Sequence, residues 1–129
     1  MLKKIRIETG GPDANKIAKG DRRVHTTTSG PDENNPGGRV ADEVQWVAPG
    51  AGPNDRFIIC FRYRAGSPLA PNHGPGNHHH IRVQPGQPAA SAILPVSQGR
   101  DRYEYDVYCA DANWNKVGDA TDDPDVVID

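Results

Sequence analysis

Apolar and polar positions alternate with a period of two in several short runs, which is the pattern of β-strands that bury one face. The strongest run is "RYEYDVYC", residues 102–109, which places Tyr103, Tyr105, Val107 and Cys109 inward and Glu104, Asp106 and Tyr108 outward. A second run is "RFIICFRYR", residues 56–64, in which Phe57, Ile59, Phe61 and Tyr63 share one face and Ile58, Cys60, Arg62 and Arg64 the other. Both runs predict strands with one apolar face and an opposite face that carries the charged residues.

Further strands are predicted from weaker runs: "KKIRIET", "RRVHTTT", "RVADEVQWV", "HHIRV", "SAILPV" and the terminal "DVVID". Between them lie clusters of Gly, Pro, Asn and Asp, which are typical of turns. Only "DANKIAK", residues 13–19, has a helical pattern, and it would form at most one short helix. Two Pro/Gly-rich loops, 29–38 and 65–78, are long enough to be candidate binding loops.

These elements predict an all-β fold, an antiparallel β-sandwich of about seven or eight short strands. The 129 residues suit a single domain, residues 1–129. Hydrophobic residues make up 35% of the chain, below the roughly 45–50% apolar content of average globular proteins. The 14 glycines and 12 prolines indicate long polar loops around one core, which explains the low hydrophobic fraction.

Charge is distributed unevenly, although the formal net charge is only −2. Residues 1–64 carry 11 Lys and Arg against 8 Asp and Glu, whereas residues 65–129 carry 4 against 9. Such asymmetry suits head-to-tail contact between copies but lacks the concentrated positive surface of a nucleic-acid-binding protein. The sequence therefore predicts no nucleic-acid partner. No apolar run approaches the ~18 residues of a membrane span or forms a secretory signal, so the sequence also predicts no membrane partner and a cytoplasmic location.

The closing third, "YEYDVYCADANWNKVGDATDDPDVVID", resembles the last strands of small bacterial immunoglobulin-like or cupredoxin-like sandwiches. In those domains a "Y-x-Y-x-V" strand is followed by a loop, a "D-P" pair and a final aliphatic strand. "VQWVAPG" and "FIICF" fit earlier strands, so the likeness extends loosely over residues 40–129. It implies a fold and assigns no function.

Two features of that resemblance are missing. A blue-copper site needs a His after its Cys and usually a Met, but no His follows Cys109 and the single Met is Met1. An antibody-type domain has a Trp downstream of its first Cys, but Trp46 precedes Cys60. A disulfide is also disfavoured, because the alternation places Cys60 and Cys109 on opposite faces. Two separate reduced thiols are therefore expected, with the bridge left as the alternative.

The run "GNHHHIRVQPG", residues 76–86, is the candidate metal site. On a strand, His78 and His80 would project from one face and form a chelating pair, with His73, His25 or an aspartate as a third ligand for zinc or another divalent ion. Arg82 shares that face and would repel a cation, and the ligand set is incomplete. We therefore expect no cofactor, and keep the metal site, with a metalloenzyme role, as the alternative.

Trp114 lies between two asparagines in the predicted loop "DANWNK", where an aromatic side chain is poorly placed for a core. Exposed aromatic rings anchor protein partners or stack on sugars. The opposite possibility is that Trp114 folds back over one end of the fold. Trp114, Tyr108 and His79 are the candidate partner-binding residues, and a glycan is a further candidate ligand.

No set of residues completes a catalytic constellation, so the sequence favours a non-enzyme while leaving that question open. We expect a binding or assembly module that acts through sheet edges and long loops, with a protein partner or a second copy as ligand. The partner's identity and the oligomeric state do not follow from the sequence.

Overall fold

A computed structural model describes residues 1–9, 16–62, 66–69, 80–84, 90–92, 102–121 and 123–129. These residues form twelve strands and no α-helix. The strands are β1 (Leu2–Glu8), β2 (Lys16–Ile17), β3 (Arg23–Thr26), β4 (Gly30–Pro31), β5 (Arg39–Val40), β6 (Glu43–Val47), β7 (Arg56–Phe61), β8 (His80–Val83), β9 (Ala90–Ala92), β10 (Arg102–Ala110), β11 (Lys116–Thr121) and β12 (Asp125–Ile128). The expected all-β class is confirmed. More strands are present than the seven or eight expected, because the two-residue strands β2, β4 and β5, and also β11, have no alternating run of their own in the sequence.

The strands assemble into two larger sheets and one small ladder. The four-stranded sheet has the order β2-β1-β6-β9, and β4 pairs with β5 on its own. In the six-stranded sheet the order is β3-β12-β10-β7-β8, with β11 also pairing with β10. β10 reaches all its neighbours because it is long: β7 lies along one side, while β12 and then β11 lie along the other.

Both larger sheets contribute to one hydrophobic core. Ile5 and Trp46 come from the four-stranded sheet, and Phe61, Tyr105 and Val107 come from the six-stranded sheet, all with 0% exposure. The Trp46 ring packs edge-on against Tyr105 at 5.4 Å and against Phe61 at 6.2 Å between centroids. Edge-to-face geometry at this distance is favourable for aromatic pairs, so Trp46 joins the two sheets.

The expectation of purely antiparallel sheets is wrong for two ladders. β1 runs parallel to β6, with Ile5 opposite Trp46, and β12 runs parallel to β3, with Val126 opposite Val24. Hydrophobic alternation sets which face of a strand is buried and carries no information on the direction of its neighbour. Sequence alone therefore could not distinguish these mixed sheets from antiparallel ones.

The short helix expected over residues 13–19 is also not found where the structure describes this stretch. Lys16–Ile17 is a strand paired with β1, and Lys19–Asp21 is one 3-10 turn. Ile17 is fully buried opposite Ile7, and the Ala18 N–H donates to the Arg6 carbonyl at 2.9 Å. Burial of Ile17 in the core outweighs a weak local helix preference.

The buried carboxylate of Asp125 links strands β3, β12 and β10 of the six-stranded sheet. Asp125 is 3% exposed and accepts two hydrogen bonds from Arg23, at 3.0 Å each. Arg102 Nε lies 2.7 Å from the same carboxylate. Because an unpaired buried charge is costly, these two arginines allow Asp125 to sit beside the core between β3 and β10.

Within the described ranges there is no helix long and apolar enough to cross a membrane.

Candidate binding face

The outer face of the six-stranded sheet is defined by the register of three neighbouring strands, β10, β7 and β8. Ile58 on β7 lies opposite Arg82 on β8 and opposite Tyr108 on β10. One step along, Cys60 lies opposite His80 and Asp106. The side chains that alternate away from the core therefore form cross-strand rows on one surface, as the sequence predicted for each strand separately.

Ile58 and Cys60 are more buried than their outward position suggests, with exposures of 4% and 8%. The continuous apolar run "FIICF" is the sequence signal for this, since such a run is typical of a strand that is covered on both faces. Residues of the β10–β11 hairpin supply part of the cover. This hairpin carries Trp114 and Lys116 back over the sheet.

The hairpin loop is held by Asp111. Its Oδ1 accepts the N–H groups of Asn113 and Asn115, both at 2.9 Å, while the Trp114 N–H donates to the Asp111 carbonyl at 3.0 Å. Asp and Asn favour such loops because their short side chains hydrogen-bond to nearby backbone groups. The backbone N–H groups of Asn115 and Asn113 lower the pKa of Asp111, so its carboxylate is fully charged at neutral pH.

Trp114 occupies left-handed backbone, with φ of 62°. This region favours Gly, Asn and Asp, and it is costly for a bulky residue unless surrounding contacts hold it. Two such contacts are present: Arg56 Cζ lies 5.2 Å and Arg82 Cζ 5.1 Å from the centroid of the half-buried indole. Arg56 also donates a hydrogen bond to the Ala112 carbonyl, which fixes the loop to the start of β7.

A second cation and ring lie beside the first set. Lys116 Nζ is 4.4 Å from the centroid of the Tyr108 ring and 3.9 Å from Cys60 Sγ. We call Arg56, Arg82, Tyr108, Trp114 and Lys116 together the cation–aromatic face. Cation–π contact within ~6 Å is attractive but leaves the N–H donors of each cation partly unused.

The cations of this face contact aromatic rings rather than carboxylates. In the part of the chain that the structure describes, Arg56, Arg82 and Lys116 have no carboxylate within ion-pair distance. Four other arginines have at least one carboxylate partner: Arg6 with Asp21, Arg23 with Asp125, Arg62 with Glu104, Asp106 and Asp123, and Arg102 with Glu104 and Asp125. Among the described residues, exposed Arg39 on β5 has no such partner either. The three cations of the face thus lie against rings or beside a thiol rather than in ion pairs, although the charge of Arg56 also acts on the nearby Asp111 carboxylate and helps to lower its pKa.

The same outer surface becomes acidic beyond Cys60. Arg62 lies among Glu104, Asp106 and Asp123, and the carboxylates outnumber it. Burial alone would lower the pKa of the Arg62 guanidinium, but Asp106, Asp123 and Glu104 together raise it. The surface therefore has a positive end around Trp114 and a negative end around Arg62.

Of the expected metal ligands, His80 lies on this surface, exposed and opposite Cys60. The alternation predicted for its strand is confirmed, because His80 and Arg82 are exposed while Ile81 and Val83 are buried. His73, His78 and the partner-binding candidate His79 lie outside the described residues. Among those described, no three His, Cys, Asp or Glu side chains are grouped so as to hold a metal ion.

The two thiols are separate, as expected, with Cys60 buried and Cys109 half-buried against the core. Burial is the main cause that raises the pKa of both thiols, with a further rise from Asp55 at Cys109. A raised pKa keeps a thiol protonated and weakly nucleophilic at neutral pH. Cys109 borders a cleft of about 310 Å³ together with Thr9, Asn54, Asp55 and Phe57, but it is no activated nucleophile there.

Sequence reasoning identified Trp114 and Tyr108, and the structure brings them to one surface. It did not identify Arg56, Arg82 and Lys116 as their neighbours. The signal for Arg82 was present, since alternation placed it on the outer face with His80. Its approach to Trp114 depends on strand order and on the hairpin loop, which the sequence pattern does not encode.

Comparisons with protein-family models, with curated proteins and with solved structures found no match for this chain.

Proposed function

We propose that this protein is a non-catalytic binding module whose binding surface is the cation–aromatic face. The observation that carries the proposal is that Arg56, Arg82 and Lys116 point at aromatic rings, with no carboxylate partner in the described part of the chain. Aromatic residues and arginine are the side chains that most often dominate the energy of protein interfaces. Left-handed backbone at Trp114 supports the same proposal, since strain of this kind clusters at functional positions.

The architecture that goes with this function is a β-sandwich of the immunoglobulin-like or cupredoxin-like type. Its support is the single core to which both larger sheets contribute, with Trp46 contacting Tyr105 and Phe61. The two parallel ladders depart from the simplest form of such a sandwich. Two separate thiols suit a reducing compartment such as the cytoplasm, which we propose as the location.

The alternatives receive less support from the same surface. A metal site at His78 and His80 would place the ion on the face that carries Arg82, and like charges repel. Glycan stacking needs an open aromatic ring, whereas the Trp114 indole is half-buried beside two guanidinium groups. Both remain proposals of lower rank.

The binding function is tested by selecting displayed random peptides on the purified protein and measuring the affinity of the winners by calorimetry. The comparison variant is Trp114→Ala/Arg82→Gln, and Trp114→Phe serves as a control that keeps a ring at the same position. We expect selected peptides to bind the wild type and Trp114→Phe and to lose about tenfold or more in affinity for the double variant. Peptides that bind the folded double variant as well as the wild type would contradict the proposal.

Self-association is examined in parallel by sedimentation equilibrium over a range of protein concentrations. A mass that rises with concentration in the wild type and stays monomeric in the double variant identifies a second copy as a partner of the face. A rise that is equal in both proteins places self-association elsewhere and contradicts assembly through this surface.

A further inference from the structure

We infer that the partner segment is an extended, acidic stretch of another protein chain, with carboxylates at alternate positions, that lies along β8 and across the cation–aromatic face. This inference rests on the proposed binding function and specifies its ligand. Its basis is the juxtaposition of Arg82 on β8 with Trp114 and Arg56, next to a sheet edge.

Carboxylates are the chemistry that this face accepts. A guanidinium presents N–H donors in a planar fork that matches a carboxylate, and the charge-assisted bonds are about twice as strong as neutral ones. Arg82 is exposed and its Cζ lies 5.1 Å from the centroid of the Trp114 ring, so a carboxylate can approach its guanidinium from solvent.

An extended segment fits because β8 ends the six-stranded sheet among the residues described. In its antiparallel ladder with β7, alternate residues direct their N–H and C=O groups to β7 and the others direct them outward. A strand added at this edge would place every second side chain on the outer face beside Arg82, and the remaining ones beside Ile81 and Val83. The recognised pattern is therefore an acidic residue alternating with an aliphatic one.

The two ends of the surface select a short acidic peptide over a nucleic acid. Among the described residues three cations form the positive end, Asp106 acts on Tyr108 and Cys60 beside them, and Glu104 and Asp123 lie further along at Arg62. A polyanion long enough to be held by its phosphates would meet these carboxylates, whereas a segment with a few carboxylates can stay at the positive end.

The test uses fluorescence anisotropy with labelled probes: a peptide of alternating Val and Asp, the same peptide with Asn for Asp, and a single-stranded oligothymidylate. We expect the Asp peptide to bind at least about tenfold more tightly than the Asn peptide at low salt, and to weaken as salt approaches about 0.15 M. Arg82→Gln should weaken the Asp peptide about tenfold. The matched control is Arg39→Gln, which removes the same charge from exposed β5 and should leave binding unchanged.

These measurements distinguish failure of the acidic-segment inference from failure of the proposed binding function, provided that both variants keep the wild-type unfolding midpoint. Equal affinity for the Asp and Asn peptides would overturn the acidic-segment inference while the selected peptides of the previous test still support a binding face. Tighter binding of the oligothymidylate than of the Asp peptide would also overturn it, in favour of a nucleic acid. Loss of binding in Arg39→Gln as large as in Arg82→Gln would show nonspecific charge attraction and contradict it too.

Discussion

At the scale of single residues, the most informative position is Trp114. A bulky side chain occupies backbone that Gly, Asn or Asp would adopt at lower cost, and it does so between Asn113 and Asn115. The contacts with Arg56 and Arg82 offset that cost. The sequence showed an aromatic residue in a polar loop, but its backbone conformation and partners required the structure.

Because the backbone at Trp114 is left-handed, we expect an unusual order of stabilities among variants at this position. An L-residue in left-handed backbone is penalised by roughly 1–2 kcal/mol. In ordinary helix or strand backbone, Ala is more stabilising than Gly by only about 0.5–1 kcal/mol. Trp114→Gly should therefore be at least as stable as Trp114→Ala, and both less stable than the wild type. Urea unfolding of the three proteins checks this order, and a clearly more stable Trp114→Ala would contradict it.

The thiols give a pH dependence whose sign follows from their burial. Cys60 and Cys109 have raised pKa values in the folded protein, mainly because burial disfavours the thiolate. Below the ordinary thiol pKa of about 8.5 the thiols are protonated in both the folded and the unfolded state, and the stability that they contribute is fully present. As the pH rises through the raised folded pKa values, that contribution is lost, because the unfolded chain releases its protons first.

We therefore expect the free energy of unfolding to fall between about pH 7.5 and about pH 9.5 under reducing conditions. The fall should be smaller in Cys60→Ala/Cys109→Ala, although this variant starts from a lower stability. Urea titrations at both pH values measure the difference. An equal or larger fall in the double variant would show that other groups cause the dependence.

At the scale of elements, the sequence runs predicted β1, β3, β6, β7, β8, β9, β10 and β12, but not β11. Alternation was sufficient for β10, where Tyr103, Tyr105 and Val107 are buried and the residues between them are half-buried. β7 is buried on both faces, and its continuous apolar run marked it as a strand. β11, "KVGDAT", carries no such pattern and pairs with β10 through an irregular register near Gly118. Its existence depends on the hairpin loop at Asp111, which local hydrophobicity does not report.

Gly118 tests this irregular register directly. It has φ of +74°, and an added Cβ would meet nothing within 4 Å, so a substitution acts through the backbone alone. Gly118→Ala should lower the free energy of unfolding by about 1 kcal/mol. Gly20→Ala is the control, since Gly20 has the same open space without positive φ, and it should be neutral or slightly stabilising. Equal effects of the two changes would contradict the assigned conformation.

At the scale of the whole molecule, one core unites two sheets whose strands come from distant parts of the chain. The sequence predicted the all-β class and which side chains face inward. It could not predict strand order, the two parallel ladders, or the convergence of Arg56, Arg82 and Trp114, because these depend on which strands become neighbours. The residues of the face were therefore visible one by one, while the face itself was not.

The two tryptophans distinguish the core from the face. Trp46 is 0% exposed between the sheets, so Trp46→Ala should cost roughly 3–5 kcal/mol and shift the unfolding of the entire domain. Trp114→Ala should cost only about 1 kcal/mol, the scale of a cation–π contact. Calorimetry of both variants checks the contrast, and separate transitions for the two sheets would contradict a shared core.

The central claim is that the cation–aromatic face binds an acidic segment, and the two indole groups report on it in one spectrum. The measurement is a ¹H–¹⁵N correlation spectrum of the labelled protein titrated with the alternating Val and Asp peptide, with the indole signals assigned from Trp114→Phe. We expect the Trp114 indole signal to move in proportion to bound peptide while the buried Trp46 signal stays in place. A bound peptide that leaves the Trp114 signal unmoved would contradict the account.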